Sequence, residues 1–379
     1  MKHLAWVLSS LVILAAPVGR STQRHALGAE TSPIRRDEVV VFYPTIGRQA
    51  ADGSSWRLAI HGSIYEPEPD SAKRAALVAM LKRALDLDMT PAEAKTFDRR
   101  VRRFLVDNER GKKISIRLGE KTRAAGRSEP NGHFSAEVQL TKVEVDEFLR
   151  QGKARDGWLW FVAETRSGDD RRFLGRVRLI EPVGLSVISD VDDTIKITLV
   201  RDRKAMLANT FLRPFQPVPE MAPIYRALAS GGAAFHYLSA SPWQLYEPLS
   251  EFQRAEGFPA GTFHLKYFRL TDSSFWDLFG SQEQYKSRSI EDLLAAFPQR
   301  RFLLIGDTGE QDPEIYGRLA CRHPEQVVGI WLRNVTGETD ANPRMTQARE
   351  GLPPKRWRLF KAPKDLEPAI ADVLRHARP

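Results

Sequence analysis

Leu185-Ser186-Val187-Ile188-Ser189-Asp190-Val191-Asp192-Asp193-Thr194 constrains the fold of this 379-residue chain more than any other stretch. Its apolar run is short enough for a buried strand, and it stops abruptly at three carboxylates and a threonine. In an open α/β sheet, ligands bind beyond the carboxyl ends of the strands, so acids placed there are placed for chemistry. Carboxylates this close repel one another unless a cation lies between them, and clustered hard oxygens suit Mg²⁺. An Asp-rich turn can also do no more than cap a helix or start an Asx-turn, so the segment alone leaves both readings open.

Three later stretches favour the chemical reading. Ala233 to Ser239 is a second apolar run, ending in a hydroxyl and followed by Ala240-Ser241-Pro242. Arg301 to Asp307 is a third, continuing Thr308-Gly309-Glu310-Gln311-Asp312. Between them Lys286 heads a segment in which Ile290, Leu293, Leu294 and Phe297 keep helical spacing. The order is DxDxT, Ser, Lys, then GDxxxxD, with three of the four at apparent strand ends.

In this order the sequence resembles the haloacid-dehalogenase superfamily of aspartyl phosphotransferases. The longer strings SDVDDTIK, YLSASPWQLYEPL and LIGDTGEQDPEIY resemble, more narrowly, the Mg²⁺-dependent phosphatidate phosphatase family first linked to actin patches. The resemblance runs from about Gly184 to Arg333. It implies Asp190 as nucleophile and Asp192 as acid/base, with Thr194 orienting the loop. Ser239 would bond a phosphoryl oxygen, and Lys286 would supply fixed positive charge. Mg²⁺ would be held by Asp190, the main-chain carbonyl of Asp192, Asp307 and Asp312. The family signature also covers Asp193, without a role. Lys266 competes with Lys286, but superfamily lysines precede the helix that leads into the acidic-motif strand, which favours Lys286. The stretches from Thr194 to Ser239 and from Ser239 to Lys286 are short for a folded cap, and an uncapped site suits a phosphate carried on something large.

The substrate that follows is phosphatidate, or another anionic phospholipid at a membrane surface. A soluble or protein phosphomonoester and a non-catalytic anionic-lipid-binding module are the alternatives; the last is disfavoured because every motif position is filled. The chain carries 57 basic and 48 acidic residues, a net charge of +9. That balance favours anionic partners without choosing among them. No nucleic-acid-binding module is recognisable, and no protein partner follows. The single cysteine, Cys321, excludes an internal disulfide and reads as a packing residue.

Residues 1–29 read as a signal peptide or N-terminal anchor: Lys2 and His3 precede an apolar run from Leu4 to Ala16, short for a membrane span. The chain is therefore expected to be exported, periplasmic or extracellular, or held at the membrane face. Residues 30–182 show short alternating strands between turn signals, the pattern of a small β-sandwich. A helical insertion from Ser71 to about Asn108 interrupts them. Its second helix starts after Thr90, with Phe97, Val101, Phe104 and Leu105 on one face and Arg99, Arg100, Arg102 and Arg103 around the rest. The expectation is a helix packed on the sandwich with a solvated basic face, the other reading being contact with lipid head groups. Residues 183–379 alternate strands and helices, which argues a Rossmann-like, mostly parallel sheet. Val327–Leu332 is its last strand, and a closing helical tail carries Trp357, Leu359 and Phe360. An aromatic loop, 273–280, is placed to dip into an interface or fold back on the core.

Overall fold

A computed structural model describes residues 32–67, 89–268 and 282–376, with isolated positions between 72 and 79. The leader, the first half of the helical insertion and the aromatic loop lie outside the described residues. Among those described, no helix is long and apolar enough to cross a membrane.

The first sheet holds ten strands: β1 (Val39–Phe42), β2 (Thr45–Gln49), β3 (Ser55–Glu66), β4 (Asp107–Asn108), β5 (Lys113–Leu118), β6 (Lys121–Arg127), β7 (His133–Thr141), β8 (Ala154–Arg155), β9 (Trp158–Ala163) and β10 (Leu174–Ile180). The long strand β3 pairs antiparallel with β1, β2, β4 and β7. Strands β2 and β10 run parallel, and the path continues through β9 and β5 to β6. Strict alternation in β5 and β9 sends Ile114, Ile116, Leu159 and Phe161 into one apolar core with Leu58, Ile60 and Val177. The strands expected to form a two-layer sandwich are thus joined by pairing into a single sheet. That sheet curls, because Gly126 in β6 reaches Ser135 in β7 so closely that a Cβ would come within 2.3 Å of its carbonyl oxygen. Gly126 also has φ +105°, a conformation that glycine alone takes at little cost.

Helix α1 (Pro91–Val101) begins at Thr90, whose hydroxyl accepts from the Glu93 amide while the Glu93 carboxylate reaches back, a reciprocal cap. Helix α2 (Lys142–Arg150) opens with the same pairing of Thr141 and Glu144. Phe97, Val101, Phe104 and Leu105 are buried as expected, in a core they share mainly with Met206, Phe211 and Leu212 of the second domain, while Arg103 ties the same segment to Tyr65 and Ser63 of β3. The basic face is not wholly solvated. Arg100 is buried, donates to the main-chain carbonyl of Thr210 at 2.7 Å, and stacks on Phe215 at 3.7 Å.

The second sheet is β15–β14–β11–β16–β17–β18, every pair parallel: β11 (Leu185–Asp190), β14 (Ala234–Pro242), β15 (Thr262–Lys266), β16 (Arg301–Asp307), β17 (Val327–Arg333) and β18 (Trp357–Phe360). Two further strands, β12 (Lys196–Ile197) and β13 (Gln216–Pro217), pair as a small arm around α3 (Arg203–Leu207) and a π-helical turn at Ala208–Leu212. Val187 and Leu303 face α4 (Met221–Ser230), α5 (Tyr246–Ala255) and α9 (Glu367–His376). Ile188 and Leu304 face α6 (Gln282–Ala296), α7 (Asp312–Arg322) and α8 (Pro343–Ala348). Burial on both faces makes these strands continuous apolar runs. The sheet does not end at Val327–Leu332: Trp357–Phe360 is a sixth strand on its edge, not part of a helix, its aromatic and aliphatic residues suited to a pleated surface. Cys321 is exposed on α7 and not packed in the core.

Candidate active site

Because β11 and β16 are parallel neighbours with Ser189 opposite Ile305, the chain leaves both strands at the same end, carrying Asp190 and Asp307. Both acids are buried. Lys286, in the second turn of α6, points its ammonium between them and the loop that follows. Its Nζ lies 2.8 Å from Asp190 Oδ1, 2.7 Å from Asp312 Oδ1 and 2.9 Å from Glu310 Oε2. Lys266 ends β15, two strands away from β11. Lys286, and not Lys266, is thus the lysine placed beside Asp190.

Charge does not balance here. Burial pushes the Asp190 and Asp307 carboxyls well above the usual carboxylate range, with neighbouring acids adding to the effect at Asp307. Burial also works against the Lys286 charge, but Asp190, Asp312 and Glu310 outweigh it and hold the ammonium well above its ordinary value. Asp307 Oδ1 accepts from the Gly309 amide at 2.5 Å, whereas Oδ2 is buried without a partner. Oxygens of Asp190, Glu310 and Asp312 lie within 4.8 Å of one another. An all-oxygen cluster with an orphaned buried carboxylate oxygen, in excess over its one ammonium, fits a hard divalent cation. A second acidic group, Glu38, Glu66 and Glu109, does not make the same demand, since Arg35 and Lys112 are paired into it.

Thr194 donates to Asp190 Oδ2 at 3.1 Å, so both Asp190 oxygens are oriented. Asp192 lies in a separate set of contacts. Lys196 Nζ is 2.7 Å from its Oδ1, and Thr198 donates to the same oxygen at 2.7 Å; Ser239 donates to Oδ2 at 2.9 Å and Ser241 at 3.3 Å. Burial opposes its charge, yet Lys196, Thr198 and Ser239 hold the carboxyl down to about 2. Ser239 is thus brought to the site, its hydroxyl spent on Asp192. Asp312 is placed by Lys286 and by a 3.3 Å contact from the Asp307 amide to its Oδ2.

Asp193, which had no assigned role, accepts the amides of Thr198 and Leu199 at 2.8 Å and of Val200 at 2.7 Å. It fixes the loop that carries Thr198. Five residues of this cluster escaped the reading of the sequence: Glu310, Lys196, Ser241, Thr198 and Arg344. The first three stood inside the quoted motifs, where each was a polar residue beside an assigned one. Thr198 and Arg344 had no such signal; the Arg344 guanidinium donates to the carbonyls of Thr308 and Glu310 and so shapes the acidic loop.

A doubly wound parallel sheet with acids at the carboxyl ends of two central strands, a hydroxyl on the next and a helix-borne lysine is the arrangement that the resemblance to the haloacid-dehalogenase superfamily implies. Residues 185–334 match the model of the phosphatidate phosphatase APP1 catalytic domain. An uncharacterized protein of Schizosaccharomyces pombe is 29% identical over 172 residues, which are 44% of this chain and 28% of that one. The phosphatidate phosphatase APP1 of Saccharomyces cerevisiae is 35% identical over 158 residues, 41% of this chain and 26% of that one. The chain thus spans about a quarter of the length of these relatives. Among solved structures, a HAD family hydrolase from Deinococcus radiodurans with bound phosphate and sodium is 15% identical (TM-score 0.30; 52% of this chain, 99% of that one). A putative beta-phosphoglucomutase from Thermotoga maritima is 11% identical (TM-score 0.30; 50% and 99%).

Proposed function

We propose that the chain is an exported, Mg²⁺-dependent phosphatidate phosphatase, with residues 183–379 as its catalytic domain. It hydrolyses the lipid phosphomonoester at a membrane surface through an aspartyl-phosphate. The observation that carries the reading is the shared Lys286 ammonium, which meets Asp190, Glu310 and Asp312 beside the unpartnered oxygen of Asp307. The family match of residues 185–334 supports the lipid substrate, and the pattern of residues 1–29 supports export.

Asp190 attacks phosphorus, forming the Asp190–phosphorus bond as the bond to the glycerol oxygen breaks. The departing oxygen takes a proton from Asp192. To serve as that acid Asp192 must first gain a proton, which the monoanionic phosphomonoester brings with it, since Lys196, Thr198 and Ser239 hold Asp192 ionised before substrate arrives. Lys196 and Ser239 can turn their donors to an incoming phosphoryl oxygen, and losing them raises the affinity of Asp192 for a proton. Asp192, now a base, then takes a proton from water, which attacks phosphorus and returns Asp190 with release of phosphate. Lys286 keeps the nucleophile in place and balances its charge. Asp190, Asp307 and the Asp192 carbonyl, with Asp312 supporting, would hold Mg²⁺, which would neutralise charge on the phosphoryl oxygens.

The test compares wild type with Asp190→Asn for Mg²⁺-dependent phosphate release from phosphatidate vesicles and from a soluble phosphomonoester. Release from vesicles that the substitution abolishes supports the reading. Release from the soluble ester alone keeps the mechanism and removes the lipid, and no release from either by folded protein overturns both.

A further inference from the structure

A cavity of about 360 Å³ lies away from the acidic site, between the outer face of β9–β10 and helix α5. Trp160, Leu174, Tyr246 and Phe258 give it apolar walls, and Arg176 and Arg254 supply charge; no carboxylate lines it. Its outer rim is apolar and wet at once, with Trp160 38% and Leu174 54% exposed. Such residues are neighbours rather than scattered, because Arg176 stands opposite Trp160 in the β9–β10 register.

Arg176 is the informative residue. Its guanidinium lies 4.3 Å from the ring centre of Trp158 and 5.4 Å from that of Trp160, so it is sandwiched and positioned by aromatic faces. Burial lowers its affinity for the proton, and the nearby charge of Arg254 lowers it further. Two guanidiniums lining one groove that has no acid among its described lining residues repel each other until an anion enters. The apolar walls beside them set the rest of that ligand's chemistry.

We propose that this groove binds an anionic phospholipid, its phosphate between Arg176 and Arg254 and its chain against Trp160, Leu174 and Phe258. It is a second lipid site that does no chemistry and does not depend on the catalytic reading. Charge complementarity and the apolar rim together select an amphiphile over a free anion.

The probe is monomeric short-chain phosphatidylglycerol, below its micelle concentration, with phosphatidylcholine of equal chain length as the neutral control. Phosphatidylglycerol is a phosphodiester, so a phosphomonoesterase site does not turn it over. Calorimetry on the full chain is expected to show tighter binding of the anionic lipid. Arg176→Gln and Arg254→Gln are each expected to cut that preference about fivefold, as loss of one cation near a lipid phosphate does. Leu174→Ala is expected to weaken both lipids alike. Arg254 and Leu174 are exposed, so these two variants keep the fold even if Arg176→Gln does not. Equal affinity for the two lipids, binding of neither, or constants unchanged in Arg254→Gln and Leu174→Ala would overturn the proposal.

Discussion

Removing the buried Asp193 carboxylate should destabilise the active-site loop severely. Three main-chain amides converge on that carboxylate, all within 2.8 Å, and the residue is 4% exposed. A hydrogen bond to a charged group contributes about 1.5–3 kcal/mol, and a buried amide left without a partner costs about as much as the bond it lost. Asp193 also sits at φ +54°, where Asn and Asp are tolerated and alanine costs about 1 kcal/mol. Asp193→Ala therefore loses three bonds and gains strain, together about 5 kcal/mol once water reaches the looser end of the loop. Asp193→Asn keeps an amide oxygen able to accept two of the three donors and tolerates the backbone, so its cost is about 2 kcal/mol. Denaturant unfolding of the two variants measures the difference. Phosphate release should fall with it in the alanine variant, because Thr198, on the same loop, donates to Asp192. Equal, sub-kcal/mol effects of Asn and Ala would refute the view that this carboxylate organises the loop.

Two further outcomes follow from the charges. The folded-state carboxyls of Asp190 and Asp307 lie well above their ordinary values, so folding favours their protonated forms. Their contribution to stability is complete below the unfolded carboxylate pKa, about 3.9, and is lost as pH rises through the raised folded values. The metal-free melting temperature should thus decline from mildly acidic to neutral pH and recover with added Mg²⁺. In Asp307→Asn both the decline and the recovery should shrink; calorimetry showing Mg²⁺ stabilising that variant as much as wild type would exclude Asp307 as a ligand. Lys196→Met removes the cation nearest Asp192, so a carboxyl now held at about 2 rises toward the ordinary value. Because transfer to Asp190 uses the protonated form of Asp192, kcat/KM should then fall as pH rises past about 4, and the absence of that fall would mean that Asp192 does not titrate in the reaction.

The acids of the site were legible because the fold brings together positions that local rules already mark. Parallel strands leave the sheet at one end, so an apolar run stopping at Asp190 and another stopping at Asp307 must meet there, whatever lies between them. Lys286 was legible only through the resemblance, since helical spacing places Ile290 and Leu294 inward but says nothing about which acid a lysine at the start of the helix will reach. What the sequence hid depends on long-range partners. The pattern of α1 is the same whether Arg100 faces water or the Thr210 carbonyl, which lies 110 residues further along the chain. A solvated basic helix was the simpler expectation and was wrong for that residue.

Trp357–Phe360 failed for a related reason: the four residues Trp-Arg-Leu-Phe carry too little periodicity to separate a strand from a helical turn, and an open edge beside β17 decided it. The first domain shows how such edges and rings tie the two sheets together. Trp243 follows directly on the Ser239–Pro242 strand end, and its ring packs 4.3 Å, centre to centre, from Tyr43, just after β1, and 4.8 Å from His61 in β3. Arg100 and the apolar face of α1 meet the π-helical turn on the other flank of the same site. The hydroxyl that holds Asp192 and the arm that carries Lys196 are therefore each backed by residues before Pro182. An isolated 183–379 segment would leave Trp243 and the Ala208–Leu212 turn without the surfaces that bury them. The first domain is accordingly part of what positions the chemistry rather than an appendage beside it.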